Sequence, residues 1–306
     1  MKNSIKVAKR KESITIALML LPCVILLVLF VLYPLAWVLR YMFFEFDGMR
    51  EARFVGLDNF VRLFTRSPDY WSSVRNTFVY ALGKLVLTIP LSFFIAMMLN
   101  TKMRFQTTFR AFVFMPTIIS TAVMSLVFFF MFNTHNGLVN QMLMRVSIIS
   151  EPINWFGIEM AMITVILVAV WGAVGNYMIY FLSGLQTIPE EMHEVATLDG
   201  ANYFQRLFYV ILPLLGPVMQ TVLMLAIIVS LRGFESIMVL TAGGPAGATD
   251  VMYLYIYRTF FPIEGQPAFT PQFGYGSAAA VVTATITGLI TIGYLRISRK
   301  MNDAQE

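Results

Sequence analysis

Apolar and polar positions in this chain alternate on the scale of whole helices. Six stretches, roughly 14–39, 76–99, 108–132, 160–183, 212–240 and 274–297, are apolar over the length a helix needs to cross a bilayer core, about 20 residues. The segments "FNTHNGLVN", "TAGGPAGATD" and "PIEGQPAFTPQFG" are rich in Gly, Pro, Asn and Thr and read as irregular loops. The segment 188–213, "IPEEMHEVATLDGANYFQRLFYVILP", keeps a helical period instead. Met192, Val195, Ala196 and Leu198 form an apolar stripe flanked by Glu190, Glu191, Glu194 and Asp199. The pattern predicts a helix opened by a Thr187–Glu190 capping box, with Pro189 in its first turn and a stop at Gly200. A second helix then carries Phe204, Leu207, Phe208 and Ile211 toward Pro213 and the fifth span.

Composition turns these stretches into membrane spans: 58% of residues are apolar and only 13% charged, which excludes an ordinary soluble domain. The basic run "KVAKRK" before the first span looks like the front of a signal peptide. That span is too long for one and has no small-residue cleavage site behind it, so a retained transmembrane helix is expected. The single cysteine, Cys23, leaves no disulfide framework or Cys/His metal cluster and is expected only to pack. The net charge of +5 does not point to nucleic acid, because the basic residues sit at the ends of apolar segments without aromatic interleaving.

Those basic residues set a topology. Lys2, Lys6, Lys9, Arg10 and Lys11 precede the first span, Lys102, Arg104 and Arg110 crowd the second-to-third connection, and Arg296, Arg299 and Lys300 follow the last. The positive-inside rule places all three regions, and both termini, in the cytoplasm. Parity then puts 188–211 on the cytoplasmic side. The region 43–75 mixes Arg50, Arg53, Arg62, Arg66 and Arg75 with Glu45, Asp47, Glu51, Asp58 and Asp69, so it weakens this assignment without reversing it.

Ionisable residues inside spans are costly and face protein or water. Lys84 is expected to be structural, snorkelling toward the outer end of the second span. Arg232 and Glu235, three apart, are expected either to pair on one helix face or to line an outward vestibule. An intramembrane hydrolase would need a nucleophile with a base, or paired acids, within the spans. His135 and His193 fall outside them, and no two span acids lie close in sequence. A secondary transporter would show discontinuous helices and ion-coupling acids, neither of which is evident from the sequence. There is no G-x-x-x-x-G-K-[ST] phosphate loop, so any ATP-driven work needs another polypeptide.

The run "EVATLDG", Glu194 to Gly200, followed after nine residues by "VILP", Val210 to Pro213, resembles the EAA loop of permease subunits in bacterial binding-protein-dependent ABC importers. Val195 and Val210 depart from the commonest form but keep an apolar face. "FVGLDNFVRLF" (54–64), "SVRNTFVYAL" (73–82), "LTAGGPAGATDVMYLYIYRTFF" (240–261) and "FGYGSAAAVV" (273–282) are similar to the maltose and glycerol-3-phosphate branch. The Gly243–Pro245 element resembles the first of that branch's two permease types.

The resemblance implies an all-α integral membrane protein of about six transmembrane helices: a type I ABC importer transmembrane domain with a cytoplasmic EAA coupling helix. It divides the chain into an N-terminal helix and extracytoplasmic segment (1–70), the transmembrane domain (71–298, with coupling loop 188–213) and a cytoplasmic tail (299–306). Glu194, Val195, Ala196, Asp199 and Gly200 would meet an ATPase subunit. Matched anchors place the substrate path at Gly172, Ala173 and Asn176, then Ala226, Ser230 and Gly233, with Tyr177, Tyr180 and Phe234 offering faces for a sugar ring.

The implied protein is a non-catalytic carbohydrate permease of the bacterial inner membrane without a cofactor of its own, ATP and Mg being held by the partner. The implied partners are a second permease, two ATPase copies, an extracytoplasmic solute-binding protein and membrane lipid. A sugar-phosphate permease is the alternative if Arg232 faces the path.

Overall fold

The computed structural model describes residues 2–101, 103–262 and 270–303. Its helices, in chain order, are α1 (Lys2–Leu27), α2 (Tyr33–Tyr41), α3 (Asp58–Arg66), α4 (Pro68–Leu99), α5 (Gln106–Ile118), α6 (Thr121–Met131), α7 (Leu138–Arg145), α8 (Ala161–Leu185), α9 (Glu190–Leu198), α10 (Tyr203–Arg206), α11 (Leu212–Leu214), α12 (Gly216–Arg232), α13 (Glu235–Leu240), α14 (Met252–Phe260) and α15 (Phe273–Asp303). One short hairpin pairs β1 (Phe44–Glu45) antiparallel to β2 (Arg53–Phe54). Lys102, most of the loop after Pro262 (263–269) and the end of the tail (304–306) lie outside the described residues.

Among the described residues five helical stretches are long and apolar enough to cross a membrane: Thr15–Tyr41, Pro68–Leu99, Ala161–Leu185, Gly216–Leu240 and Phe273–Lys300. The expected third span, 108–132, is not one straight helix. Its halves α5 and α6 meet at 95°, so six spans are reached only if the bent pair counts as one. Pro116 lacks the N–H that would bond back into the helix, and two residues after α5's Thr117 the backbone at Ile119 turns extended. Ser120 stays out of helical geometry, and the ladder re-forms with the Met124 N–H on the Ser120 carbonyl at 2.9 Å.

Proline also shapes two other places. π-helical turns at Val28–Leu32 and Leu207–Ile211 sit just before Pro34 and Pro213, with Tyr33 N–H on the Val28 carbonyl and Leu212 N–H on the Leu207 carbonyl. A widened turn makes room for a ring that cannot donate to the residue four back.

The chain packs as two units, Met1–Arg66 with Ile256–Val282, and Ser67–Tyr255 with Thr283–Glu306. In the first unit Trp37 stacks on Tyr41 with centroids 4.3 Å apart and meets Phe273 edge-on at 5.8 Å. The Asn59 amide donates to the carbonyls of Met42 and Phe44 at 3.1 and 2.9 Å, holding the entry to the hairpin. Asp47 accepts the backbone N–H groups of Arg50 and Met49, which hold its carboxyl below the usual carboxylate range.

In the second unit α4 and α8 form the central pair, and the Ser92 hydroxyl of α4 donates to the Val174 carbonyl of α8 at 3.0 Å. α5 closes on α8 at Gly175, where a Cβ would lie 2.9 Å from the Cα of Phe114. Small residues permit this approach inside a membrane, where van der Waals packing replaces the hydrophobic drive. One buried cluster gathers Val165, Val168, Ile237 and Leu254; a second gathers Met178, Phe181, Leu215 and Val222. α15 is tied to α12 by Tyr294, whose hydroxyl donates to the Gln220 carbonyl at 2.7 Å.

Candidate functional site

Two breaks in the helices of the second unit open a cavity of about 450 Å³. One is the Ile119–Ser120 corner between α5 and α6. The other is Gly233–Phe234, where α12 ends and α13 begins; Gly233 is extended with ψ 112°. A Cβ there would come within 3.1 Å of Cε1 of Tyr80, so glycine is what lets the Tyr80 ring close against the break. On the facing wall Gly172, Ala173, Asn176 and Tyr177 fall on one side of α8, at the i, i+1, i+4 and i+5 positions. A Cβ at Gly172 would lie 2.8 Å from the Met124 sulfur, so this wall too is thinned by glycine.

Of the sequence-derived path residues, the structure brings Gly172, Ala173, Asn176, Tyr177, Gly233 and Phe234 to this one cavity. Ala226 and Ser230 are each only 1% exposed on α12 and lie outside its lining, and Ser230 Oγ is buried without a hydrogen-bond partner. Tyr180 is exposed and also outside the lining. Sequence reasoning missed Tyr80, Thr117, Thr121 and Met124, which the α5–α6 corner and α4 contribute. The signal was available in "PTIIST" (116–121), a proline followed by hydroxyl residues inside an apolar run.

Of the two readings of Arg232 and Glu235 the pairing one falls, and the expectations for Lys84 and for unbroken helices need correction. Arg232 and Glu235 do not pair: among the described residues no ion pair joins them, because the helix ends at one and restarts at the other, which destroys i,i+3 geometry. Both line the cavity. Lys84 does not snorkel out along its span; it is 7% exposed in the cavity wall, with Nζ 5.9 Å from the Tyr80 ring centroid. Discontinuous helices, not evident in the sequence, are present and frame the cavity, where irregular backbone at membrane depth is tolerated.

The segment after α8 forms the expected two helices with different caps. Thr187 does not cap α9: its hydroxyl donates back to the Gly184 carbonyl at 2.7 Å, and α9 starts at Glu190 behind Pro189 without a side-chain cap. The capping box belongs to α10 instead, where Asn202 and Gln205 bond reciprocally at 3.0 and 2.8 Å. Gly200 does stop α9, at φ +72°. Ala201 N–H bonds the Ala196 carbonyl at 2.9 Å and Gly200 N–H the Thr197 carbonyl at 3.1 Å, the paired bonds of a Schellman cap. Within α9 only Ala196 is buried; Met192, Val195 and Leu198 are exposed, Leu198 by 87%. Glu194, Asp199 and Gly200 are exposed around them. This is an apolar stripe with acidic flanks that nothing covers among the described residues.

No group of three or more His, Cys, Asp or Glu among the described residues is placed to hold a metal ion. The family described as binding-protein-dependent transport system inner membrane component matches residues 88–303. The chain is 30% identical over 299 residues to the trehalose/maltose transport system permease protein MalF of Thermococcus litoralis, covering 96% of this chain and 97% of that one. To the arabinooligosaccharides transport system permease protein AraP of Bacillus subtilis it is 32% identical over 283 residues, covering 90% and 86%. A chain of a bacterial alginate ABC transporter, solved with its alginate pentasaccharide-bound periplasmic protein, superposes with a TM-score of 0.82 at 23% identity, covering 96% and 97%; at that identity the likeness concerns the fold.

Proposed function

The chain belongs to the family of binding-protein-dependent transport system inner membrane components, and from that premise we propose that it forms half of the translocation path of an ATP-driven carbohydrate importer. The solute is an oligosaccharide handed over by an extracytoplasmic binding protein. The chain catalyses nothing itself. A second, homologous permease completes the path, and two ATPase copies supply the energy from the cytoplasm, where both termini lie.

The observation that carries this reading is the pairing of an uncovered, self-capped helix with a wall that holds sugar-compatible groups. α9 presents Met192, Val195 and Leu198 between acids, which suits docking in a protein cleft better than resting on an anionic leaflet. In the cavity, Asn176 supplies hydrogen bonds and Tyr177, Tyr80 and Phe234 supply ring faces. The names of the trehalose/maltose and arabinooligosaccharide relatives support the solute class.

Reconstitution tests it. The chain alone in proteoliposomes is expected to hydrolyse no ATP and move no sugar. Co-reconstituted with the second permease, the ATPase and the binding protein, it is expected to give hydrolysis that rises with added oligosaccharide. ATPase activity in the isolated chain, or hydrolysis in the full complex that no carbohydrate alters, contradicts the reading.

A further inference from the structure

Resting on the permease reading, we propose that the cavity is a site for an acidic carbohydrate, with Lys84 as the cation that selects the solute's carboxylate or phosphate. Three observations carry this. Lys84 is 7% exposed, in the wall of the cavity, and among the described residues no carboxylate lies within ion-pair distance of its ammonium and no hydrogen bond reaches it. Its one charge-related neighbour is the Tyr80 ring at 5.9 Å, and a cation over a ring is not a neutralised cation.

Second, Arg232 lines the same cavity without an ion pair, and among the described residues Glu235 is the lone acid in the lining, which there carries two cations to one anion. Third, the break at Gly233 releases Arg232 from Glu235 instead of pairing them. A desolvated ammonium with no counterion is destabilising, and such groups persist in membrane proteins where they meet a substrate or ion. A neutral sugar needs only hydrogen-bonding groups and ring faces. A solute that brings a negative charge gives this surplus positive charge its counterion.

The test uses the complete complex in nanodiscs and three probes: trigalacturonate, glucose 6-phosphate and neutral maltotriose. Binding is measured calorimetrically, and co-purification with the second permease is measured on every sample. The complex is expected to bind one of the two anionic probes at least tenfold more tightly than maltotriose. Which of the two it prefers identifies carboxylate or phosphate as the partner group. Lys84→Met is expected to reduce that preference at least tenfold, Arg232→Gln to reduce it less, and Lys84→Arg to keep it.

A preference for maltotriose, or an anion preference that survives both Lys84→Met and Arg232→Gln, overturns the proposal and leaves carbohydrate import standing. Binding of none of the three overturns it as well; only loss of oligosaccharide-stimulated hydrolysis in the full complex reaches the permease reading. If Lys84→Met no longer co-purifies with the second permease and a compensating acid-to-neutral change there restores it, Lys84 is an intersubunit ion-pair residue and the proposal falls. If Lys84→Met fails to assemble and no such change restores it, the exposed Arg232 carries the test: an anion preference left unchanged by Arg232→Gln overturns the proposal.

Discussion

α9 and the cavity differ in how much of the chain is needed to make each. The features that shape α9 lie between Pro189 and Gln205: acids in its first turn, the Schellman cap at Gly200 and the Asn202–Gln205 box that starts the next helix. The cavity takes residues from α4, α5, α6, α8, α12 and α13, and depends on two helix breaks more than a hundred residues apart in the chain. On the proposed roles, docking would rest on a local unit, whereas the solute path would lie where helices are interrupted and contacts are long-range. The comparison teaches that damage to the first should be local and damage to the second should be global.

The largest break comes at Gly175. A side chain there runs into Phe114 and Thr117 of α5, so Gly175→Leu is expected to cost about 3 kcal/mol, at the upper end of overpacking. The folded, monodisperse fraction after purification and the midpoint of thermal unfolding should both fall. Unchanged values would mean that α5 and α8 do not meet as described.

Next is Gly200→Val. A β-branched residue at φ +72° costs about 1–2 kcal/mol, and the loss should appear as a several-fold weaker ATPase attachment with the spans intact. A loss of global stability matching that of Gly175→Leu would erase the distinction between the two regions.

Smaller again is Asn176→Ala, expected to lower uptake up to about tenfold, the 1–1.5 kcal/mol of a hydrogen bond, with ATPase attachment retained. Ser230→Ala should change uptake by less than about twofold, because it deletes a buried hydroxyl that has no partner. A larger effect at Ser230 than at Asn176 would show that α12 turns its other face to the solute.

Much of this architecture is legible in the sequence because lipid forces long apolar runs: four continuous spans and the α12–α13 stretch fall where hydropathy puts them. The stop at Gly200 is legible for a local reason, the need for a positive φ. The corner at Ile119–Ser120 is not, since apolar residues continue on both sides of Pro116 and a bent helix has the same hydropathy as a straight one.

Thr187 shows a related ambiguity. A hydroxyl between two helices can cap the one ahead or bond back to the one behind, and spacing alone does not choose. Arg232 and Glu235 stay open in the sequence for the converse reason: i,i+3 spacing implies pairing only if the helix is continuous, and Gly233 ends it. Lys84 reads as a snorkelling residue until α8 and the α5–α6 corner are placed beside it.

The central claim is that α9 is a docking surface, and it is tested most directly by placing a photo-crosslinking residue at Val195, which is 53% exposed on the apolar stripe. In the assembled complex the expected product is a single adduct with the ATPase subunit, lost at least tenfold when Glu194→Lys reverses the neighbouring charge. Crosslinking to lipid, or to nothing, while the complex still imports solute would contradict the account.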